Sequence, residues 1–129
     1  MSGNTKLRVL VVDDETSISN TLVTILNRSG FDAAGFASPV AALEILDSWS
    51  PDVVITDVIM PEMNGIELSL HIKIRHPDCA VILFSGQTTT TDLLVDAQKH
   101  GHDFTVLAKP VHPKLLLETI RKVAAPSLL

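Results

Sequence analysis

Short apolar runs rich in β-branched residues alternate along this chain with longer stretches whose apolar positions recur at the helical period. Residues 7–12 read as a strand, and 16–28 as a helix carrying Ile18, Leu22, Ile25 and Leu26 on one face and stopped by Ser29-Gly30. Phe31–Phe36 is a weak strand, because Asp32, Ala33, Ala34 and Gly35 are poor strand formers. Ser38-Pro39 supplies an N-cap followed by proline at the first helical position, opening a helix through about Leu46 that Trp49 and Pro51 close. A strand over 52–57, a turn around Pro61 and a helix from Gly65 to Arg75, ended by His76-Pro77, follow. Residues 80–85 and 104–108 are the last two strands. The helix between them begins in Thr88–Thr91 and stops at Gly101, and the final helix starts after Pro113 and fades before Pro126.

Five β-α units with short connections predict an α/β fold, a doubly wound parallel sheet with helices on both faces. Four of the five strands end in a reactive group. Asp13 and Asp14 follow the first, Asp57 ends the third, Ser85 the fourth, and Lys109 follows the fifth, whereas the second runs into Phe36-Ala37-Ser38. The simplest order that groups those four strands and leaves the weak one at an edge is 2-1-3-4-5. Ligands of open α/β sheets bind beyond the carboxyl ends of the strands, where the strand order reverses. That point lies between strands one and three, between Asp13/Asp14 and Asp57.

Composition narrows the setting. At 129 residues and 46% hydrophobic content the chain suffices for one domain over 1–129, with its core at about 7–123. A formal net charge of −5 leaves no basic field for direct nucleic-acid contact or for an anionic membrane surface. Cys79 stands alone, so neither an internal disulfide nor a cysteine zinc site is available, and a buried inert thiol is expected. No apolar run approaches the ~18 residues of a membrane span, and Met1–Lys6 carries no signal-peptide core, so a cytoplasmic location is expected.

Three carboxylates, a hydroxyl and an ammonium gathered at one sheet edge suit a divalent cation and a phosphoryl group. Crowded carboxylates repel, and Mg²⁺ relieves that repulsion through one or two carboxylates while keeping some of its waters. Asp57, at the centre, is the candidate nucleophile toward phosphorus. Lys109 can reach a phosphoryl oxygen as a point charge, and Ser85 can donate its hydroxyl to another. Each residue also has a plainer reading: Asp13 or Asp14 as a helix cap, Asp57 as a turn residue, Ser85-Gly86 as a turn, Lys109-Pro110 as a solvated strand exit. Together those readings require four coincidences at one edge.

Val11-Val12-Asp13-Asp14-Glu15, Asp57-Val58-Ile59-Met60-Pro61-Glu62-Met63-Asn64-Gly65, Ser85-Gly86 and Lys109-Pro110, in that order and spacing, resemble the signature of CheY-like response-regulator receiver domains of two-component signalling. The resemblance covers residues 7 to about 123 and implies a flavodoxin-like fold. It implies that Asp57 accepts a phosphoryl group from a phosphohistidine on a sensor histidine kinase or histidine phosphotransfer protein. Asp14 and Asp57, with Asp13 partly through water, would hold Mg²⁺ together with the backbone carbonyl of Ile59. Ser85 would be the switch hydroxyl and Lys109 the phosphate-binding lysine, with a cis Lys109-Pro110 bond. Such a domain is a signalling switch rather than an enzyme, catalysing only its own phosphorylation and dephosphorylation.

In one respect the chain departs from the pattern. Family members usually carry an aromatic residue three positions before the lysine, which turns inward on activation; here Val106 occupies that place. Two other readings compete with the switch. A haloacid-dehalogenase-like phosphohydrolase needs an acid two residues after its nucleophile, where this chain has Ile59, and a non-phosphorylated interaction module has no use for the intact acidic set. In the last helix Leu116, Ile120 and Val123 form a core stripe. The flanking Leu115 and Leu117 allow a homodimer through the last helices. His71, His76, His100, His102 and His112 form no metal-binding pattern, and most of them are expected to face solvent near helix ends.

Overall fold

The computed structural model describes residues 6–85, 104–108 and 112–124, with the side chain of Ser85 outside that description. Five parallel strands form one sheet in the order β2-β1-β3-β4-β5. They are β1 (Arg8–Val12), β2 (Asp32–Phe36), β3 (Val53–Asp57), β4 (Ala80–Ser85) and β5 (Thr105–Ala108). The described helices are α1 (Thr16–Arg28), α2 (Pro39–Ile45), α3 (Gly65–Arg75) and α4 (Pro113–Ala124). The helix expected between Thr88–Thr91 and Gly101 lies outside the described residues, as do Lys109 and the Lys109-Pro110 bond.

The strands at the centre of the sheet are apolar at nearly every position because both faces are covered. Alternate side chains then feed two cores. Val9, Val11, Val53, Ile55, Ile82 and Phe84 pack with Leu26 and Phe31 and with Leu116 and Ile120 of α4. On the opposite face Leu10, Val12 and Val54 meet Ala42 and Leu46 at α2, Leu68 and Ile72 of α3, and Cys79. Fully burying one such Leu, Ile or Val contributes roughly 1.5–3 kcal/mol, so these two layers dominate the stability of the fold. Val123 and Leu117 pack at the margin of the first core, and Leu115 is half exposed.

Local chemistry sets the helix ends. At the end of α1 the Gly30 N–H donates to Asn27 O and the Phe31 N–H to Leu26 O at 3.0 Å, the paired bonds that close a helix through a left-handed residue. Gly30 takes that position at φ 95°. Ser38 caps α2, accepting from the Ala41 N–H, with Pro39 in the first turn. Asn64 and Glu67 form a capping box on α3. His112 caps α4 in an unexpected way, its ring Nδ1 accepting from the Lys114 N–H at 3.1 Å.

The weak second strand forms despite its composition. It lies at the sheet edge beside β1, and Gly35 lets α1 come close: a Cβ there would stand 2.8 Å from Val23 Cγ2. No helix among the described residues is long and apolar enough to cross a membrane.

Candidate functional site

Sheet register sets the positions of the acidic residues. Val12 pairs with Thr56, so Asp13 and Asp57 follow as the next residues on neighbouring strands, and Asp57 in turn pairs with Phe84 of β4. Ser85 ends β4 opposite Ala108, the residue before Lys109. One carboxylate oxygen each of Asp13, Asp14 and Asp57 lies within 4.8 Å of the other two. Asp13 is buried, Asp14 is exposed and Asp57 lies between. Three like charges at that separation repel through a partly desolvated medium, and a divalent cation with oxygen preference matches the donor set.

Neither Asp13 nor Asp14 is the cap of α1. Glu15 occupies the N-cap position and makes no side-chain cap bond. The Asp13 N–H donates to Phe36 O at 3.1 Å, continuing the sheet by one residue, and its Oδ1 accepts from the Glu15 N–H at 3.0 Å. These bonds fix the buried carboxylate at the strand end.

Asp57 is placed with comparable care. Its Oδ1 accepts from the Ile59 N–H at 3.3 Å, and its backbone carbonyl accepts from Thr56 Oγ1 at 3.0 Å. The Val58 N–H reaches Phe84 O at 3.1 Å, and the Gly65 N–H returns to Val58 O at 2.8 Å, closing the loop of residues 58–65. A Cβ at Gly65 would overlap the Asp57 carbonyl oxygen, so glycine is required for α3 to start against the end of β3. Ile59 is 43% exposed and makes the rim beside Asp57 apolar. Met60 turns inward, its sulfur 3.8 Å from Thr56 Oγ1.

On β5 Val106 is 39% exposed and pairs with Leu83. Its side chain is too small for the inward aromatic rotation expected at that position.

A second concavity of about 260 Å³ opens at the other end of β3 and β4, lined by Asp52, Arg75, His76, Asp78 and Cys79 among others. Three of its polar side chains are committed to structure. Arg75 donates to Leu43 O and lies 3.6 Å from Asp47, His76 Nε2 donates to Leu46 O at 3.2 Å, and Asp52 accepts from the Arg8 N–H. Burial pushes the Cys79 thiol up to about 12, which removes it as a nucleophile. His76 is thereby half-buried rather than solvent-facing, while His71 and His112 are exposed.

The reading from sequence missed the Asn64–Glu67 capping box, although Asn-x-x-Glu before a helix signals it. It also missed a bond from Ser38 Oγ to Glu62 Oε1 at 3.2 Å, which joins residues 24 positions apart and has no local signal.

Comparison with known proteins adds a family to this geometry. Residues 9–121 match the response regulator receiver domain. The DNA-binding response regulator MtrA of Mycolicibacterium paratuberculosis is 31% identical over 114 residues, covering 88% of this chain and 49% of MtrA. The chemotaxis protein CheY of Thermotoga maritima is 34% identical over 119 residues, covering 91% of this chain and 97% of CheY. The chain therefore spans about half the length of MtrA and nearly all of CheY. A response regulator receiver domain protein from Clostridium thermocellum superposes with a TM-score of 0.82 at 32% identity, covering 92% of this chain and 94% of that one. The strand order, the acidic set at the switch point and the extent of the match agree, and the chain belongs to the response regulator receiver domain family of two-component systems.

Proposed function

We propose that this chain is a phosphorylation-controlled signalling switch whose acceptor is Asp57, loaded from the phosphohistidine of a partner sensor kinase or histidine phosphotransfer protein. The observation that carries the reading is the convergence of the Asp13, Asp14 and Asp57 carboxylates within 4.8 Å at the carboxyl ends of β1 and β3, in a chain of this family. A carboxylate oxygen of Asp57 attacks phosphorus in line, the P–N bond breaks, and its electron pair returns to the donor imidazole, which takes up a proton. Asp13, Asp14, Asp57 and the Ile59 carbonyl would hold Mg²⁺, which when bound offsets negative charge on the carboxylate and phosphoryl oxygens. Buried Asp13, tied to the Glu15 N–H, keeps its carboxylate in place, and exposed Asp14 gives the site access to solvent cations. Lys109 would meet a phosphoryl oxygen as a point charge, and the Ser85 hydroxyl another.

The output is proposed to run through a partner chain or a homodimer formed by the last helix, since Val106 cannot supply an aromatic rotation. With a net charge of −5, this domain would leave DNA contact to another domain or chain, and it would work in the cytoplasm without membrane contact. Incubation with a small-molecule phosphodonor and Mg²⁺ should add one phosphoryl group at Asp57, read by intact mass, and chelation of the metal should suppress it. Labelling that persists unchanged in Asp57→Asn would overturn the assignment.

A further inference from the structure

Among the described residues, the loop between β3 and α3 holds the one non-glycine residue with positive φ, Glu62 at 72°. Around it the Met63 N–H donates to Pro61 O at 2.8 Å. A hydrogen bond spanning two residues about a positive-φ centre is a γ-turn of the rarer, strained hand, because Cβ crowds the neighbouring carbonyl. Such a turn persists only where the surroundings over-determine it.

The bonds already described grip the ends of this loop. The Gly65 N–H holds Val58 O, and the Asn64–Glu67 box holds the start of α3, so both leave residues 59–63 to themselves. Ile59 N and the Met60 sulfur bond back to β3. Among the described residues one hydrogen bond joins residues 59–63 to an element beyond β3 and α3, from Ser38 Oγ to Glu62 Oε1 at 3.2 Å. The Ser38 hydroxyl has a single proton, and Glu62 receives it. A lone pair of the same oxygen accepts from the Ala41 N–H at 3.4 Å, so the residue that starts α2 also reaches the acceptor loop.

We propose that Ser38 and Glu62 are a positioning pair for the Mg²⁺ site, an inference that rests on the metal reading above. Glu62 lies three residues after Ile59 on a loop only seven residues long, 58–64, between β3 and α3. Releasing the turn would let the peptide after Ile59 rotate, and the carbonyl assigned to the metal would move with it, while Asp13 and Asp14 stay in place just after β1. Mg²⁺ demands near-ideal octahedral placement, so one displaced donor weakens the whole set.

Titration calorimetry of Mg²⁺ into the full chain tests this, with a thermal melt of each variant as a folding control. Glu62→Ala and Ser38→Ala should each weaken binding about three- to tenfold, and the double variant should be no weaker than either single one. Glu62→Gln keeps an oxygen that accepts from Ser38 and should stay within about twofold of the unaltered chain. A Gln variant as weak as the Ala variant would overturn the proposal in favour of a plain charge effect. The Glu62 variants leave the cap of α2 intact, so they decide the matter even if Ser38→Ala unfolds. If the unaltered chain binds Mg²⁺ and Glu62→Ala binds it equally, the positioning pair falls and the metal reading stands. If the unaltered chain binds none, the metal reading falls and takes this inference with it.

Discussion

Cys79 shows how one buried group writes itself into the pH behaviour of the fold. Only 2% exposed, it lies in the core beneath α2 and α3. Burial pushes its pKa from an ordinary thiol value of 9.0 to about 12, with Lys73 pulling it down and Asp52 pushing it up by less. The unfolded chain releases this proton above the ordinary value, and the folded chain keeps it. The folded pKa is the higher one, so stability tied to this thiol is fully present below the unfolded value and declines as pH climbs toward the folded one. The decline is at most about 1.4 kcal/mol per pH unit. Melting temperatures measured between about pH 8 and pH 11 should fall more steeply for the natural chain than for Cys79→Ala, whose lower starting stability reflects the missing sulfur. Parallel slopes would mean that the thiol ionises equally well in both states. The same burial keeps Cys79 out of redox and nucleophilic chemistry, which leaves the acidic end of the sheet as the reactive end.

At the scale of elements, the loop after Asp57 depends on how closely α3 approaches β3. Gly65→Ala must push the Asp57 carbonyl or the first turn of α3 aside, and backbone yields less readily than a side chain. A loss of about 2 kcal/mol or more is expected, read as a melting temperature lower by roughly 5–10 °C. A melt within a degree or so of the natural chain would show that α3 can shift without cost. The elements themselves were largely legible in the sequence. α1, α3 and β4 have the expected bounds because Gly30, Pro77 and the flanking polar residues punctuate the chain where the apolar period stops. The other four strands each begin one residue later than expected, at Arg8, Asp32, Val53 and Thr105. In the third, the Asp52 side chain has turned to the Arg8 N–H while its backbone still serves the sheet. The second strand was legible only as weak, since what secures it is α1 lying against Gly35, a tertiary fact. Within the site, Asp13, Asp14 and Asp57 were readable because an acid after an apolar strand is conspicuous. The left-handed turn at Glu62 and its tie to Ser38 were not, because a contact across 24 positions leaves no local period or propensity.

For the molecule as a whole, the question is how a change at Asp57 leaves the domain. Under the proposed switch, Val106 closes the route through a rotating aromatic side chain, which would leave backbone shifts or a change of partner to carry the signal. Leu115 is 50% exposed and Val106 39% exposed, on α4 and on the edge strand β5. Among the described residues of α4 and β5, these two side chains offer little of the ~1,200–2,000 Å² that a stable interface buries. The unphosphorylated chain is therefore expected to be a monomer. The dimer proposed for the loaded chain would need a larger apolar face, of which Leu115 is one part. Light scattering after size exclusion should show a monomer without a phosphoryl mimic and a concentration-dependent dimer with it. Leu115→Glu places a charge in the middle of that face and should hold the loaded protein monomeric while leaving phosphorylation of Asp57 unchanged. A loaded protein that stays monomeric at every concentration would instead make the last helix a plain cover for the core, and would direct the search for output to a partner chain that recognises the acceptor end itself.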